Sequence, residues 1–261
     1  MPFSLAHTVA VPPLRRLLGR RAVTSALVIG SVVPDYRHFI PRHHHLDTHT
    51  FAAIVWFALP LGLASFFVFH AWLREPAVAL LPLAVRRRLG RLLETPEARP
   101  ALALVALSIA VGALVHIFWD AFTHRRTFVV DAFPGLFCRV VWTHGAYVLR
   151  VYGVLQHLSS LVGMSVLAAW GWRWLARQPI DETIGPGATP GERAAALAFV
   201  VVAPAVALAA RYAQLRSAGT TVRDAAALAV SIGGDAFALA AVGFALVWRR
   251  RRRAAPPAAR A

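Results

Sequence analysis

An all-α, multi-pass integral membrane helical bundle is the fold class this sequence predicts, with about five transmembrane helices and short helices at its N-terminal end. Three observations predict it. The 261-residue chain is 58% hydrophobic and only 15% charged, against roughly 25% charged in soluble domains, and its mean hydropathy is +0.57. Apolar runs recur along it, several of them near the 20 or so residues that cross a hydrocarbon core. The 28 strongly basic residues are all arginine, against 12 acids, and they gather between the apolar runs, where anionic headgroups meet them.

The net charge of +16 therefore points to membrane lipids rather than nucleic acid, for which no recognisable module is present. A single cysteine, Cys138, excludes an intramolecular disulfide and any cysteine-built zinc site. There is no Gly-x4-Gly-Lys loop, no Gly-x-Ser-x-Gly elbow and no repeat of fixed period, so nucleotide-driven and serine-hydrolase chemistry have no support.

The elements follow in order. Ser4 is placed to cap a short helix running to about Leu18, interrupted or kinked at Pro12-Pro13; Met1–His7 lacks the pattern of a cleaved signal peptide and is expected to be retained in the mature protein. Residues 22–33 are apolar but too few to span, which predicts a helix buried in protein or lying at the interface. It should break at Pro34 and deliver Asp35 straight after. Arg42, His43, His44, His45, Asp47 and His49 follow within eight residues, and none of the 11 histidines lies beyond His157. His43–His45 read as a solvated loop, Asp35 and His49 as ligand candidates. The first span is predicted over 51–73, with Pro60 and Gly62 inside it and His70 near its interfacial end. A basic loop with Arg86-Arg87-Arg88 and Arg91 faces headgroups. The second span covers 101–122, and 127–156 forms an extramembrane or interfacial segment. Gln156-His157-Leu158-Ser159-Ser160 opens a third span to about 176. A polar linker, 177–193, separates the helical membrane domain 1–176, which carries the His/Asp site, from an anchor, 194–261. That anchor holds spans over 194–213 and 225–248 and a basic tail, and its small residues allow close helix approach. Asp235 lies within the last span, to be read equally as a functional carboxylate or as a packed or paired one.

The stretch from Val115 to His124 organises the rest. His116, Asp120 and His124 recur at spacings of four, so on a continuous helix they line one face, a turn or roughly 5–6 Å apart. Imidazole and carboxylate are ligands for zinc and similar divalent ions; the opposing reading is a helix end surfacing among headgroups. Because the first span crosses and the second returns, His49 and this face should meet on one side. Arg125 and Arg126 come next, placed either to clamp a phosphate or simply to anchor the span.

Five motifs in order carry a resemblance: Met1-Pro2-Phe3-x-Leu5-x-His7, Ser25-Ala26-Leu27-Val28-Ile29-Gly30-Ser31-x-x-Pro34-Asp35-Tyr36, Thr48-His49-Thr50, His116-x3-Asp120-x-x-Thr123-His124 and Gln156-His157-Leu158-Ser159-Ser160. Together they resemble a bacterial membrane family of unknown activity, domain of unknown function 4184. More distantly, the order His, Pro-Asp, Thr-His, His-x3-Asp is similar to membrane-bound proteins of the bacterial DNA-damage response assigned as metal-dependent hydrolases, and to the all-helical zinc-dependent phospholipase C fold. Tyr36-Arg37-His38 departs from those relatives, which carry a further acid there. That similarity implies His7, Asp35, His49, His116 and Asp120 as ligands of one or two divalent ions, zinc the first expectation, with His124 a further ligand or a partner to one. Asp35 or Asp120 would serve as catalytic base, and Arg125 and Arg126 would hold the substrate anion. The implied activity is hydrolysis of a phosphoester in a lipid or lipid-linked substrate at the bacterial inner membrane. The alternative is a non-enzymatic transporter or assembly factor that uses the cluster for cations or protons.

Arginine totals on the two sides are close to even, but Arg249–Arg253, Arg74 and the 86–91 cluster sit nearest span ends, where charge orients most strongly. The C-terminus is therefore expected in the cytoplasm and the histidine site on the outer side. Alkaline phosphatase fused at Ala261 should be inactive; activity there would reverse the topology.

Overall fold

The computed structural model describes residues 4–39, 47–94, 100–145, 147–185 and 187–254, so the His43–His45 loop lies outside the described residues. The chain is helical almost throughout, and contacts divide it into two units: 1–36, 46–66 and 97–174 form one, and 37–45, 67–96 and 175–261 the other. Five helices are long and apolar enough to cross a membrane. They are Phe51–Leu80, Leu102–Thr123, Val151–Ala176, Pro190–Ser217 and Val222–Ala254, whose apolar stretch is Ile232–Arg252. Each covers the span expected for it to within one residue, and the first runs on past residue 73.

Three of these spans' prolines meet one local solution. Pro60, Pro76 and Pro204 each follow a π turn, at Ile54–Ala58, Phe69–Leu73 and Leu197–Val202. Proline has no N–H for the carbonyl four residues back, and that residue lies inside the π turn each time. The wider turn lets a later N–H serve and eases the clash with the ring.

In the first unit the N-terminal segment begins as a 3-10 helix, Ser4–Ala10, followed by an α-helix, Val11–Leu18. Pro12 and Pro13 occupy the first turn of that α-helix. They start it rather than interrupt it, because no intrahelical N–H is needed there. The apolar segment after it forms a short helix, Thr24–Gly30, with Ala26 and Leu27 fully buried. It ends at Gly30, ahead of the break expected at Pro34, and a 3-10 helix, Val33–Phe39, carries Asp35.

This short helix lies against the second span at near-backbone contact. A Cβ on Gly112 would come within 2.6 Å of the Leu27 carbonyl oxygen and 2.7 Å of the Ser31 nitrogen, and a Cβ on Gly30 would collide with the Ile109 carbonyl. Hydrogen bonds pin both ends of the crossing: the Val23 N–H donates to Ser108 Oγ (3.0 Å), and His116 Nδ1 meets the Ser31 carbonyl at 2.8 Å. Around it, Ala26, Phe66, Val105 and Ile109 form one buried cluster and Val33, Ala58 and Ala113 another. Between the second and third spans lie short helices at Phe128–Ala132 and Pro134–Phe137, then a hairpin pairing Val140–His144 with Tyr147–Arg150.

In the second unit the basic stretch expected to face headgroups forms a helix, Leu83–Glu94, whose arginines bond to backbone carbonyls. Arg88 donates to the carbonyls of Ala176 (3.0 Å) and Gln178 (3.1 Å), and Arg86 to that of Gly185. These bonds hold the polar segment 177–193, whose Ala188 N–H also bonds the Ala79 carbonyl at 2.9 Å. Thr189 and Glu192 then cap the fourth span reciprocally, as a Thr-x-x-Glu box should.

Replacing Gly112 by alanine should destabilise the protein by about 1–3 kcal/mol, the usual cost of overpacking. Gly171, where an added Cβ meets nothing within 4 Å, should tolerate alanine. Thermal unfolding of both variants in detergent is the check.

Candidate metal centre

Four side chains from three elements converge in the first unit. Asp35 comes from the 3-10 helix after the short buried helix, His49 from the residue before the Thr50 cap of the first span, and His116 and Asp120 from the second span. Thr50 accepts the Ala53 N–H at 3.2 Å, which starts the helix there and leaves His49 just outside it. Each of the four offers one ligand atom, and these atoms all lie within 4.8 Å of one another. His49 Nε2 is 3.3 Å from His116 Nε2, 3.4 Å from Asp35 Oδ1 and 3.2 Å from Asp120 Oδ2. His116 Nε2 is 3.7 Å from Asp35 Oδ1 and 3.3 Å from Asp120 Oδ2. Asp35, His116 and Asp120 are buried. Such a group can bind a metal ion.

The orientation of both rings follows from their outer nitrogens. A carbonyl only accepts, so His116 donates its Nδ1 hydrogen to Ser31 and, when neutral, turns a bare Nε2 inward. The Thr48 hydroxyl gives its one hydrogen to the Pro34 carbonyl (2.8 Å) and so accepts from His49 Nδ1 (3.1 Å). Two Nε2 lone pairs thus face each other across 3.3 Å, beside two carboxylates. That arrangement requires a positive centre between them, a proton or a cation.

In the ion-free site the positive centre is a proton on His49. Burial pushes that ring's pKa down, but hydrogen bonds and charge from Asp120 and Asp35 prevail and raise it to about 9. Burial likewise pushes the Asp35 carboxyl up, and the His49 hydrogen bond, His116 and the Ser4 hydroxyl outweigh it, holding Asp35 at about 2.

His7 and His124 sit beside the four rather than among them. His7 stacks on His116 with ring centroids 3.9 Å apart and places Nε2 3.4 Å from Asp120 Oδ1. Burial, then neighbouring His116, pushes His7 down to about 4, so it is neutral at pH 7. His124 Nδ1 lies 3.2 Å from the same Asp120 oxygen, and the Gln156 amide nitrogen sits 2.7 Å from its Nε2. Asp120 Oδ1 is nevertheless buried without a well-directed hydrogen bond. Asp120 also lines a recess of about 10 Å³, with His7, His124, Gln156, Ser159 and Ser160 among others, which has room for about one water.

Arg125 and Arg126 are exposed on the turn that leaves the second span. Arg126 takes a left-handed conformation there (φ 61°), and the Thr127 hydroxyl closes the helix end against the Ala121 carbonyl at 2.7 Å. Sequence reasoning missed the supporting roles of Ser4, Thr48 and Gln156. The signal for Thr48 was its place directly before a candidate ligand histidine; Ser4 and Gln156 become visible only through contacts distant in sequence.

The fold and this centre together define a class: a multi-span helical membrane protein with a buried His/Asp cluster where a short helix crosses the second span. The chain belongs to the family described as domain of unknown function DUF4184, whose model matches residues 1–247. No curated protein and no solved structure matches it.

A metal ligand must be neutral imidazole. His49, with a folded pKa of about 9, is protonated in the ion-free protein at pH 7.5, so ion uptake there should release about one proton per ion, and affinity should rise with pH until about 9. A metal titration in weak buffer with a pH indicator measures this; uptake without proton release would remove His49 from the ligand set.

Proposed function

We propose that this protein is a membrane-embedded, metal-dependent hydrolase that cleaves a phosphoester in a lipid or lipid-linked substrate. Asp35, His49, His116 and Asp120 would hold the ion. The observation that carries the reading is the set of five ligand-atom separations between 3.2 and 3.7 Å. A tetrahedral site with arms of about 2.0–2.1 Å has edges of about 3.3–3.4 Å, and two imidazoles with two carboxylates suit zinc; manganese and ferrous iron accept the same donors.

When bound, the ion would supply Lewis acidity toward a phosphoryl oxygen and a lowered pKa for a water. The chain's own residues provide the rest. Asp120 would give Oδ2 to the ligand set and leave Oδ1, beside His7 and His124, to accept a proton as general base. His7, neutral and beside it, can take the proton onward. Gln156 holds the His124 ring against Asp120. Arg125 and Arg126 are the cations nearest in sequence for the substrate anion.

A second reading, a cation or proton site without hydrolysis, draws on the recess, whose volume of about 10 Å³ admits a water but not a phosphoester. Metal analysis of the purified protein separates a site from none: the wild type should carry about one ion per chain, and His116→Ala and Asp120→Ala should each lose most of it. Thr48→Val, which removes only the hydroxyl that orients His49, should weaken metal affinity roughly 10–100-fold while leaving the helical content unchanged. An ion-loaded protein that releases no phosphate or headgroup from phospholipid or polyprenyl-phosphate substrates would favour the second reading.

A further inference from the structure

The second unit contains a groove of about 460 Å³ between the start of the fourth span and the end of the fifth, within the size range of pockets that hold small molecules. Phe199, Phe244, Val247 and Trp248 wall it, and Ala240 and Gly243 keep it open. Its mouth carries two charged side chains, Glu192 and Arg251. The carboxylate of Glu192 is already satisfied: it accepts the Thr189 N–H at 2.8 Å and pairs with Arg252 at 3.2 Å. Arg252 is in turn committed, donating to the Gly187 carbonyl at 3.0 Å and lying 5.0 Å over the Trp248 ring. Arg251 is exposed and has no hydrogen-bond or ion-pair partner among the described residues. An apolar groove that ends at an uncommitted guanidinium matches an amphiphile with an apolar chain and an anionic head.

We propose that the second unit binds one anionic phospholipid, its acyl chain in this groove and its phosphate on Arg251. The groove is a site distinct from the His/Asp centre and does not depend on the catalytic reading. A zwitterionic headgroup brings its own cation beside the phosphate and gains less from Arg251 than a net-anionic one, and a free phosphate leaves the apolar walls bare. Selectivity between headgroups therefore comes from the arginine and retention from the walls.

The test uses the full-length protein, delipidated in neutral detergent, with lipid binding read by native mass spectrometry. Phosphatidylglycerol should bind at about one per chain and about fivefold more tightly than phosphatidylcholine, the factor that one arginine near a headgroup contributes. Arg251→Gln should erase that difference. Gly243→Leu should weaken both lipids, and it has room to fold because an added Cβ there meets nothing within 4 Å. Metal content should stay unchanged in both variants. Equal binding of the two lipids by the wild type, or undiminished binding by Gly243→Leu, would overturn the proposal. So would inorganic phosphate displacing the lipid at matched concentration, which would make this a free-anion site.

Discussion

The hydrogen bond from His116 Nδ1 to the Ser31 carbonyl, 2.8 Å long and buried, is the constraint on which the first unit turns. It satisfies a carbonyl at the end of the short helix that has no intrahelical partner, which would be costly to leave unpaired away from water. It also sets the tautomer of a ring in the middle of a membrane-length helix. That one contact joins the fold to the chemistry, because the nitrogen left over is the one that faces Asp35, His49 and Asp120. The bond is possible only because Gly30 and Gly112 let two backbones approach where any Cβ would collide.

The prolines of the spans show the same economy on a smaller scale. Residues that would break a helix in water are accommodated where a π turn precedes them, at 54–58, 69–73 and 197–202. The helices stay continuous, and their polar backbone groups stay internal to the segment, as a hydrocarbon surrounding demands. In the second unit, arginines serve a related purpose: Arg86 and Arg88 donate to carbonyls of the segment 176–185 that no secondary structure would otherwise satisfy. The guanidinium fork suits that task, since its donors lie in one plane at fixed spacing.

The centre also shows how a buried polar cluster becomes tolerable. Two carboxylates and two imidazoles are shielded from solvent, and isolated charges there would be expensive. Each of the four side chains is held from behind: His116 by Ser31, His49 by Thr48, Asp35 by Ser4, and Asp120 by the flanking rings of His7 and His124. These outer partners orient the groups and leave their inner atoms for a cation.

What the sequence determined by itself was whatever depends on near neighbours in the chain. The five spans were legible because a run of apolar residues long enough to cross is a local property, and boundaries shifted only where a helix outran the hydrophobic stretch, as at 74–80. The shared face of His116, Asp120 and His124 was legible because helical periodicity alone sets it. Tertiary structure decided the rest. It brought Asp35 and His49 onto His116, 81 and 67 residues away in the numbering of the chain, set which ring nitrogens face inward, and placed His7 and His124 against Asp120 rather than within the group of four. In the second unit it also joined Arg86 and Arg88 to backbone carbonyls 88 to 99 residues further along the chain. The convergence on His116 follows from the close crossing of a seven-residue helix on the second span, and no local pattern records how two distant segments pack.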